Sequence, residues 1–397
     1  MNNIALLTII IALVYAAIGI SSPLVTLYLQ SLGADYSRIA IILATTAAVA
    51  LVSSYFWGRA SDALGRRKPL IVGGLAGVAV AYFLLSQVTG FDGAWAVRLG
   101  EAAAMAAYST TSLALMGDLL STSGARGKRM GTYRGIGSLA FAGGALIGGR
   151  LADAYSMRMT FGLAAVFYLA AALIALLLGE PRVIAQANGP VGGRRPIVFR
   201  LPSSVFRLGL GLPWLFLAGV FLWQMTWNGQ ASMWPNYMAS LGYAKTAISS
   251  LWGLAGLIEA PSMLLAGQLS DVVGRAALLA AGGVGASLVM LGYLLLSGTL
   301  LALLGVQIVR GMTFGSYTAN AMTFAVEAGD ERMRGANSGL LNTVSGAGQL
   351  VGLYLGGTLV QAQGFPFMWA AFAVTALLSA VCFVALRRTT TIKRNPA

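Results

Sequence analysis

Two carboxylates in this chain lie inside long apolar stretches. Of its twelve Asp and Glu residues, only Glu101 and Glu259 fall within apolar runs, and the others sit in polar stretches or at run ends. Arg98 stands three residues before Glu101, so the two share one face of a helix and can pair. Arg310 lies near the centre of another apolar run. Ionisable groups at such depth usually line a cavity or meet a partner. A carboxylate there can take up and release a proton. Burial favours its neutral form and a nearby cation its ionised form, so Glu101, beside Arg98, is expected to ionise more readily than Glu259. Two static ion pairs, Arg98 with Glu101 and Arg310 with Glu259, are the competing reading. The chain has no histidine, and its one cysteine, Cys382, lies in the last apolar run. Proton chemistry therefore falls to carboxylates. No metal ligand set, no cofactor motif and no nucleophile–base cluster is present, so an enzyme is not expected.

The elements that must position these residues follow from composition. The 397 residues are 57% hydrophobic and only 10% charged, whereas soluble domains carry roughly 25% charged residues. Lipid must be the solvent. Apolar runs fall at roughly 4–29, 37–57, 69–89, 94–117, 130–152, 159–179, 209–238, 246–267, 276–297, 299–325, 335–360 and 367–387. At about 20 residues per crossing, this reads as twelve transmembrane helices and an all-α membrane protein. The opening Met1-Asn2-Asn3 has no basic region, so the first run is read as a retained span. The net charge of +14 reflects Lys and Arg gathered in the loops, with 19 on one side and four on the other. That imbalance places both termini in the cytoplasm, and it argues against nucleic acid as a partner. The longest polar stretch, with its Gly-Pro and Gly-Gly pairs and five arginines, reads as a cytoplasmic basic linker over 181–208. It divides an N-terminal six-helix bundle, 1–180, from a C-terminal bundle with a short basic tail, 209–397.

The two halves repeat. Gly58-Arg-Ala-Ser61-Asp62-Ala-Leu-Gly65-Arg66 matches Gly267-Gln-Leu-Ser270-Asp271-Val-Val-Gly274-Arg275 at five of nine positions, at an offset of 209. At that offset Tyr108 meets Tyr317 and Asp118 meets Glu327. Gly131, Gly135, Gly144 and Gly148 meet Gly335, Gly339, Gly348 and Gly352 at an offset of 204. Two parallel six-helix repeats about an axis along the membrane normal are one known transporter plan. On these residues the chain resembles the major facilitator superfamily over nearly its whole length. Gly58 to Lys68 matches that family's signature between spans two and three. Arg98-Leu-Gly-Glu101 resembles its Arg-x-x-Gln motif, with glutamate for glutamine. Within the family the chain most resembles the bacterial drug:proton antiporter branch, whose span-five motif has a Gly-Pro pair where this chain has Gly144-Ala145.

The loop residues Gly58, Asp62, Gly65, Arg66, Asp271 and Arg275 are read as a cytoplasmic gate that latches the halves in one state. The alternative is a topology signal with a tight turn. Span seven is unusually polar: Gln224 and Asn228 share one face, and Trp223 and Trp227 the adjacent one. Trp234 and Tyr237, nearer the outer end, fit interfacial anchors. The resemblance implies that spans one, four, seven and ten line a central cavity, which adds Tyr15 and Phe314 to Gln224, Trp227 and Asn228 as substrate-binding residues. Amides among aromatic rings suit an amphipathic or cationic organic molecule, and equally a sugar. The expectation is a monomeric secondary transporter in a bacterial inner membrane, working by alternating access. Its partners would be a small-molecule substrate, protons and the lipid bilayer. Proton-coupled efflux of a small organic or drug-like compound is favoured, and transport of a sugar or other polar metabolite is the alternative.

Overall fold

The computed structural model describes residues 3–121, 126–179, 212–328 and 334–394. The expected linker at 181–208 lies outside them. The chain runs through α1 (Asn3–Ser21), α2 (Val25–Ser31), α3 (Tyr36–Leu64), α4 (Lys68–Gln87), α5 (Phe91–Ser121) and α6 (Arg126–Ala154). It continues through α7 (Met157–Ala175), α8 (Trp214–Ser240), α9 (Lys245–Val273), α10 (Arg275–Leu295), α11 (Leu300–Glu327) and α12 (Arg334–Arg394). A 3-10 turn at Ser22–Leu24 joins α1 to α2, with Pro23 in it, so these two make one crossing. Gly364, at φ +82°, breaks α12 into two crossings ahead of Pro366.

Among the described residues, nine segments are long and apolar enough to cross a membrane, counting α12 once. α5 and α8 fall outside that set although they are 31 and 27 residues long. Arg98 and Glu101 dilute the first, and amides dilute the second. With α12 counted as two, the crossings number twelve. The helices have little amphipathic character, because lipid and protein interior are both apolar. On α4, for example, Leu75, Val78 and Leu85 are buried while Val80, Phe83 and Leu84 face outward.

α3 and α9 run well past their apolar runs, the first to Leu64 and the second to Val273. Most of each loop motif is therefore helical. Gly65, at φ +60°, and Gly274, at φ +88°, make the turns. Gly58, expected to help form the turn, instead lies inside α3, where an added Cβ would meet Thr110 of α5 at 3.6 Å.

α1, α3, α4, α5, α6 and α7 pack as one group and α8 to α12 as the other. The groups, α2 going with the first, meet mainly through α6 against α9 and α3 against α12, with α2 against α8 at one end. Glycines allow the closest approaches. A Cβ on Gly144 or Gly148 of α6 would strike the backbone of Ala16 or Ile20 of α1. The same contact in the second group is made by Gly352 and Gly356 of α12 against Met225 and Gly229 of α8. Gly149 against Lys245 is likewise matched by Gly357 against Tyr36. The equivalent glycines are thus 208 apart, one helical turn from the offset of 204 read in the sequence. Glycine recurs every four residues along this face, so a one-turn slip still pairs glycine with glycine.

Candidate functional site

A cavity of about 450 Å³ lies between the two groups, and Tyr15, Tyr108, Ser138, Glu259, Met263 and Phe314 are on its wall. A second chamber of about 280 Å³ shares Tyr15, Ser138 and Glu259 with it and adds Phe141, Trp252 and Arg310. Glu259 therefore borders both spaces. It sits near the middle of the 29-residue α9.

Arg310 is 5% exposed and lies on α11. Its guanidinium carbon stands 4.3 Å from the Trp252 ring centre and 5.4 Å from that of Trp227, a cation–π arrangement. Its Nε has no hydrogen-bond partner. Among the described residues no ion pair joins Arg310 to Glu259, so the static pair read for them is not formed.

Arg98 and Glu101 differ in this respect. Arg98 Nη1 is 2.9 Å from Glu101 Oε2, with both side chains almost fully enclosed. Tyr82 of α4 and Tyr168 of α7 stand beside the pair, and neither Arg98 nor Glu101 is on the wall of the two chambers. At the repeat offset of 209, Arg310 occupies the position of Glu101, and Gln307 that of Arg98. One half thus holds a neutralised pair where the other holds a lone arginine next to an amide.

Tyr15 and Phe314, brought in by family resemblance, both lie on the cavity wall. Trp227 stacks on Phe314 at 5.4 Å and on Trp223 at 4.8 Å, and Trp223 stacks in turn on Tyr317. Gln224 and Asn228 are not on either wall. The Asn228 amide donates to the Gln224 backbone carbonyl (2.8 Å) and to its side-chain oxygen (3.1 Å), and Gln224 packs toward Gly348 of α12. Trp234 is fully buried, and Tyr237 donates to the Tyr293 carbonyl at 2.8 Å. Both belong to the interior of the second group rather than to a lipid interface. Tyr28, at the same repeat offset of 209, donates to the Leu85 carbonyl. Sequence reading missed this matched pair, although the offset would have found it.

Among the described residues, the ion pairs of the loop motifs stay within each group. Arg67, the neighbour of the expected Arg66, reaches Asp118 of α5 at 2.9 Å. Arg275 forms a two-pronged pair with Glu327 of α11 (2.9 and 3.0 Å), approaches Asp271 at 3.3 Å and contacts Ser270. Asp62 is exposed and has no ion-pair partner among the described residues. None of these pairs crosses between the groups.

The crossing contacts lie at the opposite end of the bundle. Ala244 precedes α9 and has no side chain to cap it, so the first N–H groups of that helix need acceptors. Asp153, from the end of α6, accepts from the Lys245 N–H (3.1 Å), the Thr246 N–H (2.7 Å) and the Thr246 hydroxyl (2.7 Å). Gln361 of α12 accepts from the Tyr36 N–H at the start of α3 (3.1 Å). The two capping residues are again 208 apart. Asn236 adds a bond to Gln30 Oε1 at 2.8 Å. Removing a capping side chain costs about 1 kcal/mol, up to about 2. Asp153→Ala should therefore open this end more often. Labelling of a cysteine placed at Ser249, which is buried against Gly149 of α6 at this end, by a membrane-impermeant thiol reagent is expected to speed up several-fold. Equal labelling rates in the two backgrounds would show that the cap does not hold this end closed.

Comparison with known proteins agrees with this architecture. The model of the Major Facilitator Superfamily matches residues 7–352. A multidrug resistance protein, MdtG, of Dickeya zeae (strain Ech586) is 23% identical, over 94% of this chain and 91% of that protein. The nucleoside transporter NupG superposes with a TM-score of 0.79 at 17% identity, covering 97% of this chain and 99% of that one. A bacterial homolog of the human lysosomal transporter Spinster, in an inward-facing and occupied conformation, gives 0.76 at 14% identity over 97% and 96%. These two structures share the fold.

Proposed function

This chain belongs to the Major Facilitator Superfamily, and we propose that, as a transporter of that family and not an enzyme, it expels a small organic compound in exchange for protons. The observation that carries this reading is Glu259. It is a carboxylate inside the apolar run of α9, on the wall of both chambers and, among the described residues, outside ion-pairing distance of the cation on those walls, Arg310. A carboxylate so placed can exchange its proton for a substrate contact without first breaking a salt bridge. Glu101 is held by Arg98 and serves the structure of the first half.

In this proposal the bundles 1–180 and 209–397 rock as units, joined by the linker 181–208. The basic turns and both termini face the cytoplasm across a bacterial inner membrane, and the monomer is the working unit. The end capped by Asp153 and Gln361 is then the closed periplasmic side. Arg275–Glu327 and Arg67–Asp118 are the cytoplasmic pairs, made within each half here and available to rearrange when that side closes. The multidrug resistance name of the relative supports an efflux direction.

A second reading, carriage of a sugar or other polar metabolite, is favoured by the hydroxyls of Ser109, Ser112, Ser138 and Thr318 along the larger cavity. One experiment separates the two. Cells stripped of their own pumps and expressing this chain are expected to tolerate an amphipathic inhibitor at several-fold higher concentration than empty-vector cells. In inside-out vesicles the same compound should dissipate an imposed pH gradient. Movement of labelled sugars or nucleosides with unchanged tolerance would replace the efflux reading by the second.

A further inference from the structure

The smaller chamber holds one fixed cation and one carboxylate that leave each other unpaired. Arg310 is almost fully buried, its Nε lacks a partner, and its guanidinium lies over Trp252 and Trp227. Glu259 shares the chamber wall with it. Around them stand Tyr15 of α1, Phe141 of α6 and Trp252 of α9. In the first half the position equivalent to Arg310 is Glu101, and there the charge is cancelled by Arg98 at 2.9 Å. In the second half no ion pair within 4 Å joins Arg310 to Glu259 among the described residues.

We propose that this chamber is a zwitterion site, which seats a small molecule carrying one anionic and one cationic group on an aromatic body. The anionic group sits on Arg310, the cationic group on Glu259, and the ring against Tyr15 and Trp252. The proposal rests on the reading of Glu259 as the coupling carboxylate.

The argument is one of elimination by charge. A charge enclosed without a partner costs several kcal/mol, so a ligand that closes this chamber over water must answer both groups. A purely cationic ligand satisfies Glu259 and is pushed away by Arg310. A purely anionic one satisfies Arg310 but leaves Glu259 holding its proton, so it displaces none. A neutral ligand leaves both groups dry. A zwitterion satisfies both, and Arg310 offers a planar fork already oriented by the tryptophans. The cationic group also competes with a proton for the same carboxylate. Binding therefore releases the Glu259 proton to the water of the larger cavity, and the site carries either the proton or the substrate. Among the described residues, the titratable and charged groups facing Glu259 are Arg310 of α11, Tyr15 of α1, Tyr108 of α5 and Tyr133 of α6. Arg310 is the one fixed charge among them.

The test uses the purified full-length protein and three compounds on one bicyclic aromatic acid. The first has a free piperazine and a free carboxylate, the second is its ethyl ester, and the third is its N-acetyl piperazine derivative. Binding is read by quenching of tryptophan fluorescence, and proton release in weakly buffered solution. The zwitterion is expected to bind roughly tenfold more tightly than either relative, the equivalent of about 1.4 kcal/mol. Arg310→Gln should erase its advantage over the ester, and Glu259→Gln its advantage over the N-acetyl compound. Arg310→Lys, which keeps the charge and guards against misfolding of the Gln variant, should preserve part of the first advantage. An ester that binds as tightly as the zwitterion and ignores Arg310→Gln overturns the proposal, as does binding of none of the three. If the ester alone binds and releases a proton, the proton-exchange reading stands and the zwitterion site falls. If the zwitterion shows the expected pattern but releases no proton, the zwitterion site stands and the exchange reading falls.

Discussion

Glu259→Gln is expected to give a folded protein whose transport no longer responds to a pH gradient. Glutamine keeps the size and the hydrogen-bonding reach of the side chain, and it removes the one atom set that can bind and lose a proton here. Glu259 forms no ion pair among the described residues, and it borders open space on two sides. No paired charge is stranded by the change, so stability should move by no more than about 1 kcal/mol, well inside the usual range for single substitutions. In vesicles, the rates with and without an imposed gradient should agree within about two-fold, whereas the wild type should differ by roughly tenfold or more, a free-energy difference of about 1.4 kcal/mol. A Glu259→Gln protein that keeps the full gradient dependence would remove this residue from the coupling step.

Glu101→Gln should behave in the opposite way. It leaves Arg98 enclosed with no carboxylate, and the Nε of Arg98 already lacks a partner. Breaking a buried pair from one side costs roughly 3–5 kcal/mol. The expected result is a large fall in the thermal stability of detergent-purified protein and a low yield. Any protein that does fold should retain its pH dependence. Arg98→Gln combined with Glu101→Gln should recover most of the lost stability, because no unpaired charge then remains. If Glu101→Gln is as stable as the wild type and loses its gradient dependence, the roles given to the two glutamates must be exchanged.

The contrast between the two glutamates was only partly legible in the sequence. Their depth could be read, because a carboxylate inside an apolar run is visible in one dimension. The Arg98–Glu101 pair could be read too, since three residues on a helix bring side chains together regardless of tertiary context. Whether Arg310 meets Glu259 depends on how α9 and α11 are rotated and offset against each other, and no local rule specifies that. The aromatic residues divide in the same way. Tyr15 and Phe314 reached the cavity through the family plan, whereas Gln224 and Asn228 bond to each other, with Gln224 packed toward α12. Their i, i+4 spacing was correctly read as one shared face. Which direction that face points was decided by packing.

What the sequence by itself determined was the solvent, the number of crossings and the repeat. Each rests on composition or on one-dimensional spacing: too few charges for a water-facing surface, runs of about 20 apolar residues, and a loop motif recurring at 209. Even there, one-dimensional spacing had a blind spot. Glycines every four residues made offsets of 204 and 208 look alike, and only the contacts of Gly144 with Ala16 and of Gly352 with Met225 chose between them. The tertiary structure alone decided which charged groups meet between helices. It left Arg310 and Glu259 facing one chamber without an ion pair, and brought Asp153 of one half to the first N–H groups of α9 in the other. These are relations between distant segments. Helix propensity and hydropathy act along the chain, so they leave such relations open, and the close packing of small residues between helices settles them.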